Sequence, residues 1–220
     1  MAKSQRISKE ERDVIATTQT RTLLHVGCGP KHPNIPECFK ETGWKEVRFD
    51  IDPKVKPDIL GSITDMKAVE TGSVDALFSS HNIEHLEFHN VFVALGEFKR
   101  VLKDDGYVFL LCPDLQVVGE LIAQDKLFAT LYESPAGPIA PFDMLYGYRK
   151  YLPTNPFMAH RSGFTLNSML KIFSEVGFGT TLGIRNPNSF ELMVVGFKAK
   201  LDHDIARPRF AEIVNSRKQR

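Results

Sequence analysis

The sequence predicts an α/β fold: a doubly wound, mostly parallel sheet flanked by helices and carrying one insertion. Three observations point there. Short apolar runs alternate with segments of helical periodicity along most of the chain. Several of these runs are continuously apolar, which suits strands covered on both faces. The last two runs are separated only by Arg185-Asn186-Pro187-Asn188-Ser189, too short for a crossover helix, so they pair antiparallel as a hairpin.

The candidate strands, in order, span 22–26, 46–50, 58–60, 74–79, 107–112, 180–184 and 191–197. Between the first two, Pro30, Pro33 and Pro36 delay any helix to about 36–41. The clearest helix lies between the fourth and fifth strands. There Val91, Phe92, Leu95, Phe98, Val101 and Leu102 make one apolar face, and Asp104-Asp105-Gly106 is expected to end it. A second helix follows Thr165, a plausible cap; Met169, Leu170, Ile172, Phe173 and Val176 form its inner side, and Gly177 stops it. Strand–helix–strand order implies right-handed crossovers. The stretch 113–162 runs to about fifty residues, too long for a simple connection. Rich in proline and aromatics, it reads as an inserted lid or substrate segment within a single domain spanning 1–220.

Bulk properties set limits on function. The 220 residues are 42% hydrophobic and 25% charged, enough for one substantial core. A formal net charge of +1 gives no field that would draw the protein onto nucleic acid or anionic lipid, so neither partner is expected. The basic tail 202–220, with Arg207, Arg209, Arg217, Lys218 and Arg220, reads as a solvated end. The polar N-terminus is no signal peptide, and no apolar run reaches membrane-spanning length. Three widely spaced cysteines form no Cys-x-x-Cys pair; a reduced, cytoplasmic setting fits.

Two positions carry the chemistry. Leu23-Leu24-His25-Val26 runs directly into Gly27-Cys28-Gly29-Pro30, where missing side chains let backbone approach a ligand at the strand's carboxyl end. About twenty residues on, Asp50 ends the second strand, where a carboxylate can accept hydrogen bonds from both hydroxyls of an adenosine ribose. Asp52, before Pro53, reads more simply as a turn residue. A dinucleotide site would need a helix N-terminus directly after the glycines, aimed at the pyrophosphate. Prolines interrupt that stretch, and His32 stands where the third glycine would be. A cofactor without phosphate needs neither feature, which favours S-adenosylmethionine over a nicotinamide dinucleotide.

These blocks resemble the class I methyltransferases, in particular the small-molecule group called methyltransferase type 11. The blocks are HVGCGP (25–30), FDIDP (49–53), GSITDM (61–66) before GSVDALFSSHNIEHL (72–86), EFKRVLKDDGYVFLLCPD (97–114) and SGFTLNSMLKIFSEVGF (162–178). The resemblance implies a Rossmann-like sheet of order 3-2-1-4-5-7-6 with strand seven antiparallel. It also implies methyl transfer from S-adenosylmethionine to an acceptor, a small molecule in this group. On the matching positions, Gly27, Cys28 and Gly29 would line the methionine and ribose, Asp50 would hold the ribose and Ile51 would pack on the adenine. Asp65, or backbone near Ile63 and Met66, would meet the adenine amino edge, and Ser80 and His81 the amino-acid end. Two positions depart from the family pattern: His25 stands where an acidic residue is usual, and Ser62 where many members have an adenine-binding Asp.

Two clusters remain. His81-x-x-Glu84-His85 matches the inverted zinc-peptidase signature, and His89 continues the spacing. It begins at a strand-to-helix junction with no later helix offering a third ligand, so no metal is expected. In the insertion, Tyr146, Tyr148, Arg149 and Arg161 are candidates to contact the acceptor, and His160, with an ordinary pKa near neutrality, is the candidate base ahead of His81 and His85. The competing functions are a nicotinamide-dependent oxidoreductase, a non-catalytic methyltransferase-fold binding protein and a zinc hydrolase.

Overall fold

The structure is a computed structural model describing residues 20–31 and 35–217. Most of the polar N-terminus, His32, Pro33, Lys218 and Arg220 therefore lie outside the described residues. Strands β1 (Arg21–Val26), β2 (Trp44–Asp50), β3 (Ile59–Leu60), β4 (Val74–Ser80), β5 (Leu102–Pro113), β8 (Thr180–Asn186) and β9 (Glu191–Phe197) form one seven-stranded sheet of order β3-β2-β1-β4-β5-β9-β8. With the small β6–β7 hairpin (Tyr132–Ser134 and Gly137–Ile139) set aside, this is the expected 3-2-1-4-5-7-6 order. β1 runs parallel to both β2 and β4, with Val26 opposite Phe49 on one side and Ser79 on the other. β9 is antiparallel to β5 and closes the expected hairpin with β8.

Alternation along each strand divides the apolar side chains between two cores. On one face, Leu24, Val26, Leu77, Val108 and Leu110 meet helices α1 (Phe88–Val101) and α4 (Leu166–Val176). On the other, Leu23, Phe78, Phe109, Val195 and Phe197 meet the 3-10 turn Glu37–Phe39 and the C-terminal helix α5 (His203–Asn215). α1 buries Val91, Ala94, Leu95, Phe98 and Val101, the face expected from their spacing. It stops earlier than expected, however. Leu102 is already extended and pairs with Val74, so Asp104-Asp105-Gly106 lies within β5 instead of ending the helix. The terminal carbonyls of Arg100 and Val101 are taken by the N–H groups of Gly72 and Ser73, so the preceding turn supplies the cap. In α4 the Thr165 hydroxyl accepts from the Ser168 N–H, and Gly177 closes the helix at φ +87°.

The C-terminal stretch departs from its reading as a solvated tail. Over its described residues it forms α5, with Ala206, Ile213 and Val214 buried and Arg209 stacked over Phe197 at 5.0 Å. Ala206, Phe210, Ile213 and Val214 recur on one helical face, a signal that the surrounding basic residues and Pro208 masked. The insertion is folded, with helix α2 (Leu115–Ile122), the β6–β7 hairpin, helix α3 (Pro141–Tyr146) and a 3-10 turn at Pro156–Met158. No helix among the described residues is long and apolar enough to cross a membrane.

Candidate functional site

Parallel pairing brings the carboxyl ends of β1, β2 and β4 to one edge of the sheet, so the loops after them converge. The glycine loop turns back at once: Gly27 and Gly29 both have φ +59°, a conformation that disfavours any side chain. Their surroundings differ. A Cβ on Gly27 would lie 2.5 Å from Asn82 Cγ, whereas one on Gly29 would meet nothing within 4 Å among the described residues. Gly27 is thus packed against protein, and Gly29 faces open space.

Asp50 stands directly across this loop. Its Oδ2 accepts the Gly29 N–H at 2.8 Å and its Oδ1 accepts the Asp52 N–H at 2.9 Å, so among the described residues each oxygen keeps a second lone pair. The carboxylate is largely buried, and the next side chain, Ile51, is left 52% exposed. Asp52 behaves as the turn residue it was read to be, accepting the Lys54 N–H at 2.9 Å. Cys28 is buried, burial raises its thiol pKa to about 11 despite Arg48 nearby, and its N–H donates to the Phe49 carbonyl.

A residue that sequence reasoning missed ties the loops together. Arg48, buried in β2, donates to the carbonyls of Gly29, Val55 and Lys56, the last at 2.8 Å. It thereby joins the glycine loop to the β2–β3 turn. Sequence placed it only within the strand 46–50, and nothing local marked its reach. His25, at the family's acidic position, packs against Phe78 and meets Glu46 Oε1 at 2.8 Å. That hydrogen bond holds the Glu46 carboxyl below its usual pKa, so β2 supplies a carboxylate beside the position where β1 lacks one.

The candidate adenine side is divided. Asp65 is exposed, forms a turn with Ser62 and pairs with Lys67 at 3.2 Å. Ile63 is buried within the core. The Met66 side chain is fully buried, its N–H donates to Glu97 and its carbonyl accepts from Arg100 and from the Val69 N–H, so its backbone groups are engaged within the protein.

Beyond β4 the backbone is unusual. His81 has φ +50°, a left-handed conformation costing a non-glycine residue about 1–2 kcal/mol. Its ring lies between two buried carboxylates, Glu191 at 3.1 Å and Glu84 at 3.6 Å. Burial alone would lower the His81 pKa, but the hydrogen bond to Glu191 and the charges of Glu84 and Glu191 outweigh it and raise it to about 9. Glu191, unremarked in sequence because it reads as a strand residue, also has Arg217 3.9 Å away. Next to His81, the Asn82 side chain rests on Gly27, and among the described residues its buried Nδ2 has no hydrogen-bond partner. Ser80 ends β4 beside it, partly exposed.

The insertion's candidates mostly serve its own structure. The Tyr148 hydroxyl donates to Ala136 O, and Arg149 pairs with Asp143 at 3.1 Å over the rings of Phe128 and Phe142. Arg161 pairs with Glu87 at the surface, and Tyr146 remains half exposed. His160 is largely buried: its Nδ1 lies 2.8 Å from Met144 O and its Nε2 faces Glu84 Oε1 at 4.0 Å. Burial, more than any neighbouring charge, lowers its pKa and keeps it neutral at pH 7. His85 stands edge-on to it with ring centroids 4.9 Å apart, while His89 is exposed on α1, away from this group.

Residues 24–110 match the family described as "Methyltransferase domain". Among solved structures, the chain is similar to an S-adenosylmethionine-dependent methyltransferase from Archaeoglobus fulgidus (15% identity, 86% of this chain and 91% of that one, TM-score 0.55). It is similar to one from Methanosarcina mazei as well (12% identity, 85% and 97%, TM-score 0.56). An O-methyltransferase family protein from Burkholderia thailandensis shares 8% identity over 86% of this chain and 55% of that one, with TM-score 0.52. At these identities the likeness is one of fold. None of the curated proteins matches the sequence.

Proposed function

We propose that the protein moves a methyl group from S-adenosylmethionine to a small-molecule acceptor, because residues 24–110 match the family described as "Methyltransferase domain" and the sheet has the strand order of the Rossmann-like methyltransferase fold. One observation carries the reading. Asp50 and the side-chain-free Gly29 are hydrogen-bonded at the lip of the parallel sheet, with open space over Gly29 and an exposed Ile51 beside them. That arrangement fits an adenosyl group: unused lone pairs on Asp50 for ribose hydroxyls, an apolar surface for the base, and backbone within reach of the sugar.

Bound S-adenosylmethionine would supply an electrophilic methyl on a sulfonium, and the protein's part is then positioning and exclusion of water. Gly27, Cys28 and Gly29 would line the methionine and ribose, and Arg48 would hold that loop in shape through the Gly29 carbonyl. Ile51 would pack on the adenine and Asp65, beside Ile63, would accept from its amino group. Ser80, His81 and the unpaired Asn82 amide would meet the charged amino-acid end, with Asn82 an addition that sequence did not suggest. For the acceptor, Tyr146 and Arg161 are the better placed of the four insertion residues, because Tyr148 and Arg149 are committed to internal partners. A base is needed only where the attacking atom carries a proton. His160 turns its Nε2 toward Glu84, and we do not assign it that role. A cytoplasmic setting agrees with three free cysteines, two of them buried.

The test is isothermal titration of the purified protein with S-adenosylmethionine, NAD and NADP, followed by Asp50→Ala. The proposal expects one S-adenosylmethionine site and a loss of about 1.5–3 kcal/mol in the variant, the worth of hydrogen bonds to a charged acceptor. Preference for NAD would favour an oxidoreductase. Binding of no adenosyl ligand would favour a non-catalytic protein, the reading that the departure at His25 suggested.

A further inference from the structure

We propose that Glu84, His85 and His160 form a binding site for a first-row divalent cation, with Zn2+ as the reference ion. One ligand atom from each lies within 4.8 Å of the others. Two histidines and one carboxylate are the donor set of many catalytic zinc sites, which leave a further position open. Tetrahedral Zn2+ at about 2.0–2.1 Å from each ligand needs donor atoms about 3.3 Å apart, so the side chains would close by up to about 1.5 Å.

The supporting shell is already built. His85 Nδ1 lies 3.2 Å from Ala159 O and His160 Nδ1 lies 2.8 Å from Met144 O. A carbonyl only accepts, so both Nδ1 atoms carry the proton and, in the neutral rings, both Nε2 atoms present lone pairs. The Glu84 carbonyl accepts the N–H groups of Arg161 and Ser162, which fastens the end of the insertion to the 3-10 turn Ile83–His85. The third ligand thus comes from a loop fixed by backbone hydrogen bonds, not from a downstream helix, where sequence reasoning looked for it.

The second, independent observation concerns Glu84 itself. Its side chain is 1% exposed, and among the described residues neither carboxylate oxygen accepts a hydrogen bond. His81 compensates its charge from 3.6 Å, beyond hydrogen-bonding distance, and is itself engaged by Glu191 at 3.1 Å. Stripping a carboxylate of every hydrogen bond in a buried site is costly. His160 Nε2 faces that carboxylate at 4.0 Å and a His85 ring nitrogen lies within 4.8 Å of both, so one cation could engage all three side chains.

Metal binding is measurable without S-adenosylmethionine, so its outcome is separate from that of the methyl-transfer reading. EDTA-treated, dialysed protein is titrated with Zn2+ by calorimetry, and Co2+ loading is followed by its visible absorption. The expected result is one Zn2+ per chain and a Co2+ spectrum of a low-coordinate N/O site. Glu84→Gln, His85→Gln and His160→Gln should each weaken Zn2+ by at least about tenfold, while His89→Gln, on the exposed face of α1, should leave it unchanged. If Glu84→Gln does not fold by circular dichroism, His85→Gln and the wild-type Co2+ spectrum decide. Absence of stoichiometric Zn2+ binding to the wild type would overturn the proposal. So would affinity undiminished by His85→Gln and His160→Gln, or lowered as much by His89→Gln.

Discussion

Replacing Gly29 by alanine separates two uses of one glycine, its backbone freedom and the open space above it. At φ +59° the new side chain costs about 1–2 kcal/mol. Among the described residues it meets no atom within 4 Å, so no collision with them adds to that cost. For a chain of this size, about 2–4 °C of melting temperature per kcal/mol makes the expected drop about 2–8 °C. Gly72 is the matched control: φ +67°, likewise nothing within 4 Å, but in the turn before β4 and away from the lip. Gly72→Ala should lower the melting temperature by a similar amount. The two variants should part in calorimetric titration with S-adenosylmethionine. Gly29→Ala puts a methyl group where the sugar would approach the backbone and should lose at least tenfold in affinity, about 1.4 kcal/mol; Gly72→Ala should bind as the wild type does. Equal affinities for both variants would mean that Gly29 serves the turn alone, and the reasoning about open space would be refuted.

Other perturbations probe the supports of the site and fold. Arg48→Met removes the donor to the Gly29, Val55 and Lys56 carbonyls and should weaken S-adenosylmethionine by severalfold without touching it; Arg48→Lys should restore only part, because an ammonium cannot span the same set of acceptors. Titration with the cofactor reads both. The hydrogen bond to Arg100 holds Glu97 below its usual pKa, so its contribution to stability is full above the unfolded value of about 4.3 and is lost as pH falls through the lower folded value. Urea midpoints should therefore fall more steeply below pH 5 for the wild type than for Glu97→Gln. Phe98→Ala empties a fully buried position of α1 and should cost about 3–5 kcal/mol in urea unfolding, with the sheet retained by circular dichroism at low denaturant.

The sheet was legible because most of its strands are covered on both faces, which leaves continuous apolar runs such as 74–79 and 107–112, and because the turn at 185–189 has no room for a helix. The meeting of the glycine loop with Asp50 was legible because both sit at the ends of neighbouring strands. Helix ends were less so. α1 is capped by Gly72 and Ser73, which lie before it in sequence, and no pattern within 88–106 reveals that. α5 was hidden because Arg207-Pro208-Arg209 interrupts an apolar face whose contacts, Tyr107 and Phe197, sit on distant strands. Arg48, Glu191 and the meeting of His160 with Glu84 depend on contacts across the whole chain, and periodicity carries no information about such pairs. The motif at 81–85 was visible; that its third partner would come from the insertion was not.

A crystal structure of the protein soaked with S-adenosylhomocysteine bears most directly on how this edge of the sheet is used. The account predicts an ordered adenosyl group between Gly29 and Asp50, both ribose hydroxyls within hydrogen-bonding distance of the Asp50 carboxylate, and the adenine against Ile51. A ligand ordered elsewhere, or a loop that stays closed around Asp50 with the ligand excluded, would contradict it.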